Sequence, residues 1–397
     1  MNSPARIWLD RIRGLPLERP IRILNVCGGH ERTIATSGIR SLLPPAVQLI
    51  PGPGCPVCVC PEEDVFHAIQ LSLTRSVILV AFGDMLRVPV NGPKGRPRSL
   101  EQAIALGADV RPIASPSEAA VIARENPRKT VVFFVAGFET TLAPVAALIA
   151  MGLPLNLKLL ISGRLTWPAV AMLLQSEEPG FDALIAPGHV ATVMGPEEWE
   201  FVVRDHHMPA AIAGFTADAL LAATYSTLRQ LLERRNFLDN CYPKTVRPTG
   251  NAVARRYLNE TLEVTDAPWR GIGVIPRSGF RLRPEYAGHD ARIEFPLDEA
   301  AERPRRGEMP QVATAHESFS AKSCRPIADC TVLAARPNRR SVLAWYRTKG
   351  PAMYGGLPAT EAAAMPLGAA PRPAQRGERR VPRIGWRWSS SHCLGHR

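Results

Sequence analysis

Apolar, β-branched runs recur at short intervals through the first 220 residues, and most are followed by a stretch patterned like a helix. Runs at 21–26, 47–50, 77–82, 130–136, 157–161, 183–186 and 210–213 read as strands. Segments 63–73, 100–106, 117–126, 144–151 and 167–174 read as helices between them. Residues 217–235 predict a longer helix, with Leu220, Leu221, Leu228, Leu231 and Leu232 on one face. Strand, helix, strand at this spacing is the signature of βαβ units, so the predicted fold class is α/β with parallel sheets. A break near 142–155 divides the pattern into two α/β domains, 1–142 and 143–240.

The most apolar stretch, 141–160, carries Pro144, Pro154, Asn156 and Lys158. It reads as a buried helix followed by a strand rather than a membrane span. The opening residues, MNSPARIWLDRIRGLP, contain no apolar leader core, so the expected compartment is the cytoplasm. There, eight cysteines point to metal or redox chemistry more than to structural disulfides.

Charge changes the picture only at the C-terminal end. Of 48 Lys/Arg and 36 Asp/Glu, 17 and 5 fall from residue 303 onward, which leaves 31 of each in residues 1–302. The whole net charge of +12 therefore sits in the last quarter of the chain. A balanced main body gives no electrostatic footprint for nucleic acid. Pro, Arg, Ala and Gly dominate 357–381, and 357–397 reads as a disordered basic tail.

Ligands of open α/β sheets gather at the carboxyl ends of strands, and the unusual short sequences fall there. Cys27-Gly28-Gly29-His30 follows the first strand and Pro51-Gly52-Pro53-Gly54-Cys55 the second. Gly83-Asp84-Met85, Gly137-Phe138-Glu139-Thr140-Thr141, Pro187-Gly188-His189 and Gly214-Phe215 follow later ones. Cys55-Pro56-Val57-Cys58 spaces two sulfurs to reach one metal or each other. Pro61-Glu62-Glu63-Asp64 after it has the proline and acids of a helix first turn. Cysteines just before a helix N-terminus tend toward thiolate, the form that attacks, exchanges or ligates.

Each motif also has a plainer reading. The cysteines fit a structural zinc knuckle or inert buried thiols, although a second matched pair for zinc is missing. Cys27-Gly-Gly-His30 fits a tight turn with a core histidine. If the first two strands are neighbours, Cys27, Cys55 and Cys58 converge, with His30 near, to hold iron or pass a disulfide. Glu139 reads either as a buried proton-transfer acid or as a helix-start carboxylate among threonine caps. Asp84 reads as functional or as an ion-pair partner of Arg87. His189 is open in the same way, and His206-His207 reads as a surface pair. No phosphate-binding glycine loop is present, so the layers do not read as a nucleotide domain.

Taken in order, these motifs resemble the HypD family of hydrogenase maturation factors. The resemblance covers about residues 15–295. It rests on Cys-Gly-Gly-His at 27–30, Gly-Pro-Gly-Cys-Pro-Val-Cys at 52–58, Phe-Gly-Asp-Met at 82–85 and Gly-Phe-Glu-Thr-Thr at 137–141. Pro-Gly-His-Val at 187–190, Arg-Pro-Thr-Gly-Asn at 247–251 and Trp-Arg-Gly-Ile-Gly at 269–273 complete it. The resemblance implies a scaffold that assembles the Fe(CN)2CO group of nickel–iron hydrogenases. Iron would be held together with a small HypC-type chaperone, and cyanide would come from a HypE–HypF pair. By resemblance, Cys27 ligates iron, Cys55 and Cys58 form the redox pair close to it, and His30, Asp84 and Glu139 support them. A smaller third domain, 241–356, would carry a [4Fe-4S] cluster, with Cys330 among its ligands.

The chain departs from the pattern in places. Arg32 stands where the family has a second histidine, and Cys60 is additional. Beyond residue 302 only Cys324, Cys330 and Cys393 remain, fewer than the four thiolates such a cluster takes. Translation of an altered reading frame would explain both this loss and the composition of the tail. The expectation is that this chain holds no stable four-iron cluster. The alternative function is a general thiol–disulfide oxidoreductase without iron.

Overall fold

The computed structural model describes residues 4–91, 95–176 and 178–297. Two sheets organise them. β1 (Ile21–Asn25), β2 (Val47–Pro51), β7 (Ala183–Pro187), β8 (Ala210–Ala213) and β9 (Leu238–Asn240) form one, in the order β2-β1-β7-β8-β9, all parallel. β3 (Val77–Phe82), β4 (Val110–Ile113), β5 (Thr130–Gly137), β6 (Leu157–Arg164), β10 (Leu262–Trp269) and β11 (Gly273–Leu282) form the other, in the order β10-β11-β6-β5-β3-β4. Its β4, β3, β5 and β6 are parallel, while β11 runs antiparallel to β6 and to β10.

The seven expected strands are all present and the α/β class holds, with an antiparallel hairpin added at one edge. The hairpin escapes a search for apolar runs because β10 is half exposed along much of its length, with Glu263, Thr265 and Asp266 within it. The expected boundary between 1–142 and 143–240 does not coincide with the sheets. β5 and β6 lie on opposite sides of residue 142, yet pair along seven residues. The first sheet likewise joins β1 to β7. Long parallel crossovers permit this interleaving, which local pattern does not encode. The expected third domain begins with residues that complete the second sheet. Its remainder from 298, with Cys324 and Cys330, lies outside the described residues, as do Cys393 and the expected tail 357–397.

Both sheets are covered on both faces, which is why their strands read as nearly continuous apolar runs. Alternation divides each strand between two cores. Ile78 and Val80 pack with the helices Pro116–Glu125 and Glu139–Ala150. Val77, Leu79 and Ala81 pack with the helices Glu62–Ser72 and Leu100–Ala105. In the first sheet, Ile21 and Ile23 face the helices Pro4–Arg13 and Ala217–Leu232, while Leu24 and Val26 face Thr166–Leu174 and Glu200–Arg204.

Two local expectations change. Gly28-Gly29-His30 is not a free turn but opens the helix Gly28–Thr36. The helix expected from 144 begins at Glu139, so Pro144 lies inside it and forgoes one i→i−4 hydrogen bond. Cys241 follows β9, and its N–H donates to the Ile212 carbonyl. No helix among the described residues is long and apolar enough to cross a membrane.

Candidate functional site

Strand ends of both sheets face one cavity of about 540 Å³. From the first sheet come Val26, Cys27, Gly28 and Gly29 after β1, Gly54 and Pro56 after β2, Pro187 and His189 after β7, and Phe215 after β8. From the second come Phe138, Thr140 and Thr141 after β5, and Thr166 after β6. Arg32, Thr33 and Thr36 of the Gly28–Thr36 helix close one side. The expectation that motifs gather at strand ends is therefore met by residues from six loops.

β1 and β2 are hydrogen-bonded neighbours, with Asn25 opposite Pro51. The contact continues into the loops: Gly28 N–H donates to the Gly54 carbonyl over 3.0 Å and Gly52 N–H to the Asn25 carbonyl over 2.7 Å. Gly54 is required here, since a Cβ on it would run into the Val26 carbonyl. This backbone seam fixes Cys27 beside the Cys55 loop.

Cys55 and Cys58 are joined as a disulfide with Cα atoms 5.3 Å apart, spanning the short helix Pro56–Val59. The Cys58 N–H also faces Cys55 Sγ at 3.2 Å. Cys27 is a free, half-buried thiol at the N-cap of its helix. Burial pushes it up to about 11, against the pull of the His30 and Gly29 backbone N–H groups, and Glu31 adds to the rise. Among the described residues no group of three or more His, Cys, Asp and Glu is placed to hold a metal ion. Cys27, Cys55 and Cys58 are thus not a preassembled three-thiolate cage, because two of the sulfurs bond to each other.

His30 is fully buried and does not line the cavity. Its Nδ1 lies 2.8 Å from Asn25 Oδ1 and its Nε2 3.1 Å from the Ala213 carbonyl, so it pins the helix to β1 and β8. Burial lowers it to about 3, with Ala213 opposing and His189 adding to the fall, so the ring is neutral. Asp84 is half-buried in the turn after β3, outside the cavity lining, with its carboxyl raised by burial against its own and Met85's N–H groups. Arg87 pairs with Glu101 at 3.1 Å rather than with Asp84.

Glu139 is fully buried. It does not act as a local cap. Its Oε1 accepts from the Thr166 N–H over 2.6 Å and its Oε2 from the Thr166 hydroxyl over 2.7 Å. Burial holds its carboxyl above the usual range despite these bonds.

Three sets of contacts at the site were not legible in the sequence. Phe215 stacks on His189 and also packs on His30, with ring centroids 4.7 Å apart in the second pair. Trp269, from the hairpin, packs with Phe138 and with Val59, the residue between Cys58 and Cys60. Behind that loop, Cys60 Sγ lies 3.4 Å from the Ser162 hydroxyl, which donates to Asp64; Arg164 and Arg292 flank the same carboxylate. Burial raises the Asp64 carboxyl, but the two guanidiniums outweigh it and hold it low. Burial also pushes the Cys60 thiol to about 12, with Asp64 adding to the rise.

Fold and site define a two-sheet α/β protein with a cysteine-bearing cleft built from strand ends. A family model described as the hydrogenase formation hypA family, HypD, matches residues 4–331. The chain is 38% identical over 282 residues to the hydrogenase maturation factor HypD of Escherichia coli K12, covering 70% of this chain and 74% of that one. It is 37% identical over 294 residues to the factor of the same name from Rhodobacter capsulatus, 73% and 77% of the two chains. The factor from Azotobacter vinelandii is 39% identical over 290 residues, 71% and 76%. The chain belongs to the HypD family and has a role in hydrogenase maturation.

Proposed function

We propose that this chain is the scaffold on which the Fe(CN)2CO group of nickel–iron hydrogenases is assembled. The observation that carries the reading is Cys27: a free thiol at a helix N-cap, opening onto a cavity, with a disulfide in the adjoining loop. Iron is cargo here. A thiol held protonated by its surroundings binds soft metal by losing its proton, so loading is coupled to proton release. A single cysteine leaves the rest of the coordination sphere to cyanide, carbon monoxide and a HypC-type chaperone, with cyanide supplied by a HypE–HypF pair. Cys55 and Cys58 are the thiol pair that exchanges electrons beside the iron, one disulfide accepting two electrons and two protons to give two thiols. His30 holds the Cys27 loop in place, and half-buried Asp84 and fully buried Glu139 are acids that support the strand ends.

A [4Fe-4S] cluster is the family's source of those electrons. Cys330 and its neighbours lie outside the described residues, and the chain carries only three cysteines beyond residue 302. Our reading is that this chain does not hold the cluster stably, and that Cys55 and Cys58 depend on an external reductant.

The formed Cys55–Cys58 disulfide also favours the second reading, a general thiol–disulfide oxidoreductase without iron. Anaerobic purification with iron analysis and infrared spectroscopy separates the two. Cyanide and carbonyl bands that vanish in Cys27→Ala support the scaffold. Their absence from the wild-type chain co-expressed with the maturation machinery, with disulfide reductase activity retained, gives the second reading.

A further inference from the structure

Glu198 follows the helix Gly188–Met194 in a short 3-10 turn, Pro196–Trp199. Its Oε2 is buried and has no hydrogen-bond partner. Among the described residues neither Glu198 nor Glu139 takes part in an ion pair. Trp199, fully buried beside it, packs in the core that includes Val170 of the helix Thr166–Leu174, the helix whose first residue holds Glu139. Met194 packs against the core that includes Leu142, in the first turn of the Glu139 helix. The helix Gly188–Met194 packs on both the Glu139 helix and the turn that carries Glu198, and the Glu139 charge acts on Glu198 across that junction.

Two neighbouring carboxylates, buried or partly buried and with no ion-pair partner, do not readily both ionise. The two are not equivalent. Glu139 receives two hydrogen bonds from Thr166, one to each oxygen, and these favour its charged form. Glu198 has an orphan oxygen, and an ionised carboxylate with an orphan oxygen is the costlier arrangement. We propose that Glu198 is kept as a neutral acid by the ionised Glu139 beside it, so that the pair stores one proton behind the cavity.

The surroundings agree with this assignment. Burial and the Glu139 charge both raise the Glu198 carboxyl, and only Arg255, from the helix Ala252–Thr261, opposes them. Arg255 is itself drawn aside to the Thr249 carbonyl at 3.1 Å. The helices Glu139–Ala150 and Thr166–Leu174 bring no further ionisable side chain. The helix Gly188–Met194 brings His189, which burial disposes to the neutral form. Arg164, at the end of β6, is committed to Asp64 and the Pro268 carbonyl.

Thr166 lines the cavity and holds Glu139, so it links the store to the working site. A cation entering the cavity favours release of the Glu198 proton to water; an anion entering favours its retention. This function rests on the reading of the cavity as the assembly site. The store itself is testable on the chain without iron.

The test is infrared spectroscopy of the full-length, iron-free chain, with glutamate isotope labelling to identify the carbonyl stretch of a protonated carboxylic acid. At neutral pH the wild type shows this band. Glu198→Gln removes it. Glu139→Gln weakens it, because the neighbouring charge that retains the proton is gone. Thr166→Val shifts the proton's titration upward, since Glu139 loses one of the donors that keep it ionised. Absence of the band in the wild type overturns the proposal, and so does its survival in Glu198→Gln. Should Glu139→Gln fail to fold, Glu198, in a short turn and only partly buried, still decides the matter through its own variant. Loss of the iron–cyanide bands with this signature intact counts against the scaffold and not against the store.

Discussion

Phe215 lies flat on His189, ring centroids 3.7 Å apart and planes 21° apart. The two follow neighbouring strands, β8 and β7, and Phe215 also fills the space over Gly29, where an added Cβ would come within 2.8 Å of the ring. One aromatic ring thus joins three strand-end loops. Phe215→Ala is expected to cost about 1–3 kcal/mol through lost burial and stacking and to loosen the Cys27 helix start. Hydrogen exchange at 28–31 checks it: protection there falls, while that of β5 and β6 is unchanged.

The segment 284–297 is part of the body. Arg292 reaches Asp64 at 2.7 Å, and His67 Nε2 lies 2.7 Å from the Phe295 carbonyl. A chain ending after Pro304 is expected to stay soluble and to melt cooperatively. A chain ending after Arg283 leaves buried Asp64 with Arg164 alone and is expected to lose about 3–5 kcal/mol. Equal urea midpoints for the two truncations would sink this account.

Cys60→Ser is expected to be mild and Cys58→Ser severe in hydrogenase maturation. Cys60 is 1% exposed, its thiol is held protonated, and Ser162 and the Pro61 carbonyl are ready to bond a hydroxyl. In native protein Cys60 resists alkylation. Equal maturation losses in the two variants would place Cys60 in the chemistry.

His30 sets a pH dependence. Its ordinary value of 6.5 falls to about 3 in the folded chain, so the folded state binds fewer protons than the unfolded one. The stability is present above about pH 6.5 and drains away as pH falls toward 3, by up to about 1.4 kcal/mol per unit. The raised carboxyls of Glu139 and Glu198 work in the opposite sense, so the informative quantity is the difference between wild type and His30→Gln. Unfolding free energies from urea titrations should show the wild type losing about 2 kcal/mol relative to His30→Gln between pH 7 and pH 5. Parallel pH profiles would mean that His30 is not the group responsible.

Gly54→Ala is expected to disrupt the seam between the loops after β1 and β2, because its Cβ meets the Val26 carbonyl and Cys27 Cα, both main chain. Overpacking of this kind costs about 1–3 kcal/mol or more. Faster reduction of the Cys55–Cys58 disulfide by dithiothreitol is the measurement that checks it.

Strands buried on both faces are visible as apolar runs, and so all seven expected ones are present. Their ends could be matched to glycine-rich motifs for the same reason. What escaped depends on distant partners. At the helix start, Phe215 occupies the space where a side chain on residue 29 would stand, and the Gly54 carbonyl holds the Gly28 N–H. Glu139 takes its meaning from Thr166, 27 residues away, and Ser162 reaches Asp64 across 98. Glu198 sits in a surface-like Pro-Glu-Glu-Trp segment whose burial no local pattern announces. Strand order was equally hidden, since it is set by crossovers that alternation does not record.

The interleaved sheets impose an order on synthesis. β1 and β2 leave the ribosome first, but their neighbour β7 is made only after the whole of β3 to β6. β6 in turn waits for β11 to cover its edge. The Cys27 and Cys55 loops are therefore among the earliest parts made and among the last to be enclosed. During that interval their thiols are open to oxidants and to stray metal ions, so a nascent chain of this architecture gains from company before its cleft has closed.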